Sequence, residues 1–142
     1  MRSVNTSCGT MAPMTAPSIH HVTLTVVDAA RSAAWYQELF GPAEVVERQG
    51  PTWSRLRMQW PSGLVIGVTA HEATTLEAFD EARVGLDHLG LGCADEAEVR
   101  SWHARLEDLG FEHGPLEDVP YGWAVTARDP DGIPVEFYCP KS

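Results

Sequence analysis

The chain has few basic residues, few cysteines and no long apolar run. Its 142 residues carry 10 Lys and Arg against 20 Asp and Glu, a formal charge of -10. That balance argues against nucleic acids and anionic membrane surfaces as partners, because both attract basic proteins. Cys8, Cys93 and Cys139 have neither the even number nor the spacing of a disulfide framework or a zinc knuckle, so a reducing cytoplasm is the expected compartment. No apolar stretch approaches the roughly 20 residues of a membrane-spanning helix. Also missing are a phosphate-cradling glycine loop, a serine-nucleophile elbow and a Cys-x-x-Cys pair. Their absence moves nucleotide hydrolysis, hydrolase triads and thioredoxin-like exchange out of the front rank. A small-molecule substrate is favoured by elimination.

What the chain does contain is a repeat. His21-Val-Thr-Leu-Thr-Val-Val-Asp28 is echoed by His88-Leu-Gly-Leu-Gly-Cys-Ala-Asp95, each a His heading an alternating strand with an Asp at its far end. Further on, Gly41 matches Gly110, and Pro61-Ser-Gly63-Leu-Val-Ile-Gly67 matches Pro130-Asp-Gly132-Ile-Pro-Val-Glu136, with the offset enlarged by two. A second helix two residues longer than the first accounts for the change. The chain is a duplicated module of roughly 70 residues, and the duplication makes His21, His88 and Glu136 candidates for one site. One domain is expected over residues 19–140, with modules at about 19–71 and 85–139. Residues 1–18, which lack the apolar core of a secretory signal, read as a flexible tail with Met11 or Met14 as alternative starts.

Each module reads as strand, helix, then three strands. Val22, Leu24 and Val26 alternate with His21, Thr23 and Thr25, the period of a strand with one apolar and one polar face. Asp28 suits a helix N-cap and Gly41 a helix end, while Asp95 with Glu98 resembles a capping box before Val99, Trp102, Leu106, Leu109 and Gly110. Strands are expected at about 43–49, 52–60 and 64–70, then 111–117, 121–128 and 132–139. Pro61-Ser-Gly63 and Asp129-Pro-Asp-Gly132 supply the turn chemistry before each last strand. Such modules make an α+β domain whose apolar sheet faces meet the helices and whose polar faces line a cleft.

The His21–Asp28 strand with its helix to Leu39-Phe-Gly41, the His88–Asp95 strand, and Asp129-Pro-Asp-Gly132-Ile-Pro-Val-Glu136-Phe-Tyr138 together resemble the vicinal oxygen chelate superfamily. The resemblance covers about residues 18–139. That superfamily includes glyoxalase I, type I extradiol dioxygenases, fosfomycin-resistance enzymes and metal-free bleomycin-binding proteins. The resemblance implies paired βαβββ modules forming an incomplete barrel around a divalent metal, with His21, His88 and Glu136 at the ligand positions. The residues agree in chemistry: two imidazoles and a carboxylate on three strands form a facial triad that leaves coordination positions open. Singly, each is an ordinary polar strand residue; their repeat-related positions favour a shared metal site for Fe(II), Mn(II), Ni(II) or Zn(II).

Glyoxalase I enzymes usually bring a fourth ligand at the position that here is Gly67. The departure favours three-ligand relatives, and dioxygenase-like chemistry is expected ahead of isomerisation or thiol or epoxide addition. A metal-free antibiotic-binding protein of the bleomycin-binding type is the alternative, against which the intact ligand positions count. Arg55, Arg57 and Gln59 alternate with Leu56, Met58 and Trp60, so Arg57 is expected to face the cleft and bind an anionic group, with Tyr138 as a hydrogen-bond donor beside the metal. Trp53, Tyr121, Trp123 and Tyr138 are candidates for an aromatic wall, His71 stands too far along its strand to replace Gly67, and His103 and His113 read as solvated. A homodimer is expected, with sites closed within each chain preferred over sites shared between two.

Overall fold

The computed structural model describes Gly9 and residues 12–142. Its first half comprises β1 (Val22–Thr25), α1 (Ala29–Phe40), β2 (Glu44–Gln49), β3 (Trp53–Gln59) and β4 (Val65–His71). The second comprises β5 (Leu89–Gly92), α2 (Glu96–Leu109), β6 (Glu117–Val119), β7 (Gly122–Arg128) and β8 (Pro134–Pro140). The result is an α+β fold of two βαβββ modules. Most of the expected 1–18 tail lies outside the described residues, as does Cys8; residues 12–18 hold no helix or strand. Among the described residues, no helix is long and apolar enough to cross a membrane.

The duplication is visible strand by strand. One sheet has the order β1-β4-β3-β2 and the other β5-β8-β7-β6. Thr23 pairs with Gly67 across the parallel β1–β4 ladder, and the repeat-related Gly90 pairs with Glu136 across β5–β8. The helices span 12 and 14 residues, the two-residue difference read from the shifted offset. Both start on an aspartate: Asp28 accepts from the Arg31 N–H and Asp95 from the Glu98 N–H. The Glu98 carboxylate reaches back to the N–H of Ala94, one residue before the cap. Gly110 ends α2 in the left-handed region (φ 67°), where a side chain would be strained.

One strand departs from expectation. A strand at 111–117 is reduced to an isolated bridge between His113 and Ala127, and the regular ladder begins only at Glu117. Pro115 lies between the two, with no N–H to donate and a fixed φ that breaks the ladder.

Apolar faces meet at the module junction. Leu24, Val26, Met58, Ile66 and Val68 from the first sheet pack with Tyr36 of α1 and with Ile133 and Val135 of the second module. Leu39 of α1 joins Val99, Leu106, Val125 and Phe137 in a second cluster. Trp35 stacks on Phe111 at 5.0 Å, and Phe40 lies edge-on to Trp60, Trp102 and Phe137. Helix α1 is thus buried against both modules. The Asp129-Pro-Asp-Gly132 turn docks on it: the buried Asp129 accepts from the Tyr36 hydroxyl at 2.9 Å, and Asp131 accepts from Arg31 at 3.2 Å and from the Val27 N–H.

Candidate metal centre

With the apolar faces turned toward the helices, the opposite faces of both sheets carry the polar residues. On the second sheet, β5 and β8 place His88 and Glu136 side by side, His88 Nε2 lying 3.8 Å from Glu136 Oε1. The other imidazole nitrogen, Nδ1, is 2.6 Å from the Asp87 carboxylate. A carboxylate accepts, so Nδ1 carries a proton and Nε2 is the atom turned toward Glu136. The Asp87 hydrogen bond raises the His88 pKa above the ordinary imidazole value and Glu136 adds to the effect, against a smaller opposing effect of partial burial. Two donors separated as these are, with one imidazole oriented from behind, fit a divalent cation.

His21 stands apart from them. Among the described residues, its ring nitrogens do not join His88 and Glu136 in a group with all donors within 4.8 Å of one another. Its Nδ1 instead lies 2.9 Å from that of His20. Helix α1 packs between the modules, its Tyr36 in one apolar cluster with Ile133 and Val135 and its Leu39 in the other with Val125 and Phe137. A concavity of about 510 Å³ near Asp131 and the loop after β4 contains none of the three residues.

The remaining candidates sort by strand face. Arg57 lies opposite Gly67, whose other neighbour is Thr23, on the polar face of the first sheet. Arg55 is on the same face but committed, its Nε donating to Thr69 Oγ1 at 2.8 Å and its guanidinium lying over Trp53. A Cβ at Gly67 would lie 3.1 Å from Thr23 Oγ1, tight enough that the Thr23 side chain would have to shift, and glycine itself offers no donor at the position equivalent to Glu136. His71 lies at the far end of β4, opposite Trp53. Tyr138 shares the face of Glu136, and its hydroxyl donates to the Tyr121 carbonyl at 3.1 Å. Trp123 packs against the second apolar cluster and Tyr121 is exposed, so the four aromatics do not form one wall. Burial pushes the Cys93 thiol up to about 11, which keeps it protonated at neutral pH.

Sequence reasoning missed one cluster. His103, Glu107 and His113, two of them read as solvated histidines, bring one donor atom each within 4.8 Å of one another. The i, i+4 spacing of His103 and Glu107 on α2 was a readable signal; the arrival of His113 was not.

These features have close counterparts. Residues 18–137 match the Glyoxalase/Bleomycin resistance protein/Dioxygenase superfamily. The chain belongs to that superfamily. A glyoxylase/bleomycin resistance protein/dioxygenase domain from Frankia sp. EAN1pec is 32% identical with a TM-score of 0.82, over 89% of this chain and all of that one. Superfamily folds at lower identity include the lactoylglutathione lyase of Agrobacterium tumefaciens (24% identity, TM-score 0.65, 87% of this chain and 94% of that one). Another is a variant of the fosfomycin resistance protein FosX of Listeria monocytogenes (21%, 0.64, 87% and 90%), complexed with Mn(II) and dihydroxypropylphosphonic acid. No functionally curated protein matches.

Proposed function

We propose that this superfamily member is a divalent-metal-dependent enzyme acting on a small anionic molecule with two neighbouring oxygens, and that its site is shared between two copies of the chain. The observation that carries this reading is the His88–Glu136 pair, oriented by Asp87 and not joined by His21 in a close donor group among the described residues. In a homodimer, His21 of the partner subunit completes the facial triad of two imidazoles and one carboxylate. Bound there, Fe(II), Mn(II), Ni(II) or Zn(II) would supply Lewis-acid stabilisation of charge developing on the substrate oxygens.

The residues of the chain divide the remaining work. Asp87 fixes the His88 tautomer; Glu136 supplies negative charge on a strand whose cleft-facing neighbour across the ladder is the small Gly90. Arg57 comes from the polar face of the first sheet, so in the shared arrangement it enters the site with the partner subunit's His21 and binds the substrate's anionic group. With glycine at position 67 offering no fourth ligand, oxygen-activating, dioxygenase-like chemistry is favoured ahead of glyoxalase-type isomerisation. Opening of an epoxide on an anionic substrate is the second reading, favoured by Arg57 and by the likeness to a protein that holds Mn(II) with a phosphonate. A metal-free antibiotic-binding role is the less favoured assignment, because such a role has no need of His88 oriented by Asp87.

Metal analysis of untagged protein purified without chelators tests the proposal. About one cleft-bound divalent ion per chain is expected, and protein that neither retains nor binds such an ion would refute it. Arg57→Ala is expected to weaken binding of a carboxylate or phosphonate probe by about tenfold to a hundredfold, the value of a charge-assisted hydrogen-bond pair, with little change in melting temperature. A variant that melts several degrees lower but binds the probe normally would make Arg57 structural.

A further inference from the structure

His103, Glu107 and His113 lie on the helix side of the second sheet, opposite the face that carries Glu136, and the proposed function leaves them unused. His103 and Glu107 are one turn apart on α2, with His103 Nε2 3.5 Å from Glu107 Oε1. Gly110 then reverses the chain, Phe111 is pinned by stacking on Trp35, and His113 is held to β7 by its bridge with Ala127 and by the Gly114 N–H donating to Thr126. This places His113 Nε2 3.7 Å from the same Glu107 oxygen.

The donor atoms of the three side chains converge, one from each lying within 4.8 Å of the others. His113 Nδ1 is 2.6 Å from the Gly114 carbonyl, which can only accept, so Nδ1 holds a hydrogen and Nε2 is the atom turned toward Glu107. At 3.7 Å the Nε2 and the Glu107 oxygen lie beyond hydrogen-bond distance, with His103 alongside. Tetrahedral zinc with bonds of about 2.0–2.1 Å separates its ligand atoms by about 3.3 Å, within a few tenths of an ångström of the two spacings found. The carbonyl behind His113 is also the kind of partner that fixes a metal-binding imidazole.

We propose that His103, Glu107 and His113 form a second divalent-metal site suited to Zn(II), clasping the end of α2 to β7 and leaving a fourth coordination position open. His113 is the most buried of the three, with 15% of its side chain exposed, and Glu107 the most open at 59%, so the ion can enter without unfolding.

The test uses untagged full-length protein carrying His88→Ala and Glu136→Ala, which removes the cleft donors and keeps the outcome independent of the function proposed above. Titration with Zn(II) against a chromophoric chelator should show one equivalent per chain retained. Adding Glu107→Gln, at an exposed helix position, should weaken that binding at least about tenfold, and His103→Ala with His113→Ala should abolish it. Co(II) should give the visible absorption of a four-coordinate site in the parent and none in the His103→Ala, His113→Ala protein. Circular dichroism checks that each variant is folded. Absence of a retained equivalent, or zinc binding unchanged by Glu107→Gln and by the double replacement, would overturn the proposal.

Discussion

Replacing Glu136 by alanine is expected to weaken cleft binding of Mn(II), Fe(II) or Ni(II) by more than about a hundredfold while leaving the fold in place. Loss of a group that merely orients a ligand costs about tenfold to a hundredfold in metal affinity, and loss of the one charged ligand costs at least that. The fold should tolerate the change because the carboxylate faces the polar side of β8 and its nearest charged partner, His88, is 3.8 Å away and half exposed. An ion pair of that kind contributes at most about 1 kcal/mol. Calorimetric titration with thermal denaturation of the same samples separates the two effects. Affinity equal to that of the parent chain would remove Glu136 from the site.

Asp129→Ala should show the opposite behaviour, with a large loss of stability and no direct contact with the metal donors. The buried carboxylate accepts from Tyr36, from the Asp131 N–H and from the Ile133 N–H, each at 2.9 Å. Each buried donor left without a partner costs about 1–3 kcal/mol. A total of about 3–4 kcal/mol is expected, or a melting temperature lower by roughly 10 °C. Asp129→Asn should be milder, since an amide oxygen can keep two of the three bonds. Burial raises the Asp129 pKa against the opposing hydrogen bonds from Ile133, Tyr36 and Asp131, so protonation is easier in the fold than in the unfolded chain. The stability this contributes is present below the unfolded value of about 3.9 and is lost as pH rises through the raised folded value. Asp129→Asn should abolish that part of the pH dependence. Equal melting temperatures for parent and alanine variant would refute the role of the turn as a lock between the modules.

The elements that proved legible in the sequence are those determined locally. Asp28 and Asp95 cap their helices, Gly41 and Gly110 end them, and the alternation around Arg55 and Arg57 places both on the polar face as its period requires. The repeat aligned Gly67 with Glu136, and the ladders place them in equivalent registers. What was not legible depends on contacts between distant segments. Tyr36 and Phe40 read as ordinary apolar helix positions, yet they bury against the second module. Strand alternation carries no information about that docking. Likewise, His113 meets His103 and Glu107 only because Gly110 turns the chain and Ala127 holds it. Pro115 could have been read as a break in its strand, since a missing N–H is a local fact.

The shared site is tested most directly by mixing two metal-binding-deficient chains, His21→Ala and Glu136→Ala, under conditions that allow subunits to exchange. If His21 of one subunit joins His88 and Glu136 of the other, each mixed dimer contains one cleft with both lesions and one with neither. Cleft metal binding should then return to half the sites of every mixed dimer. If all three ligands belong to one chain, every cleft keeps a lesion, and failure to recover metal binding in demonstrably mixed dimers would contradict the account.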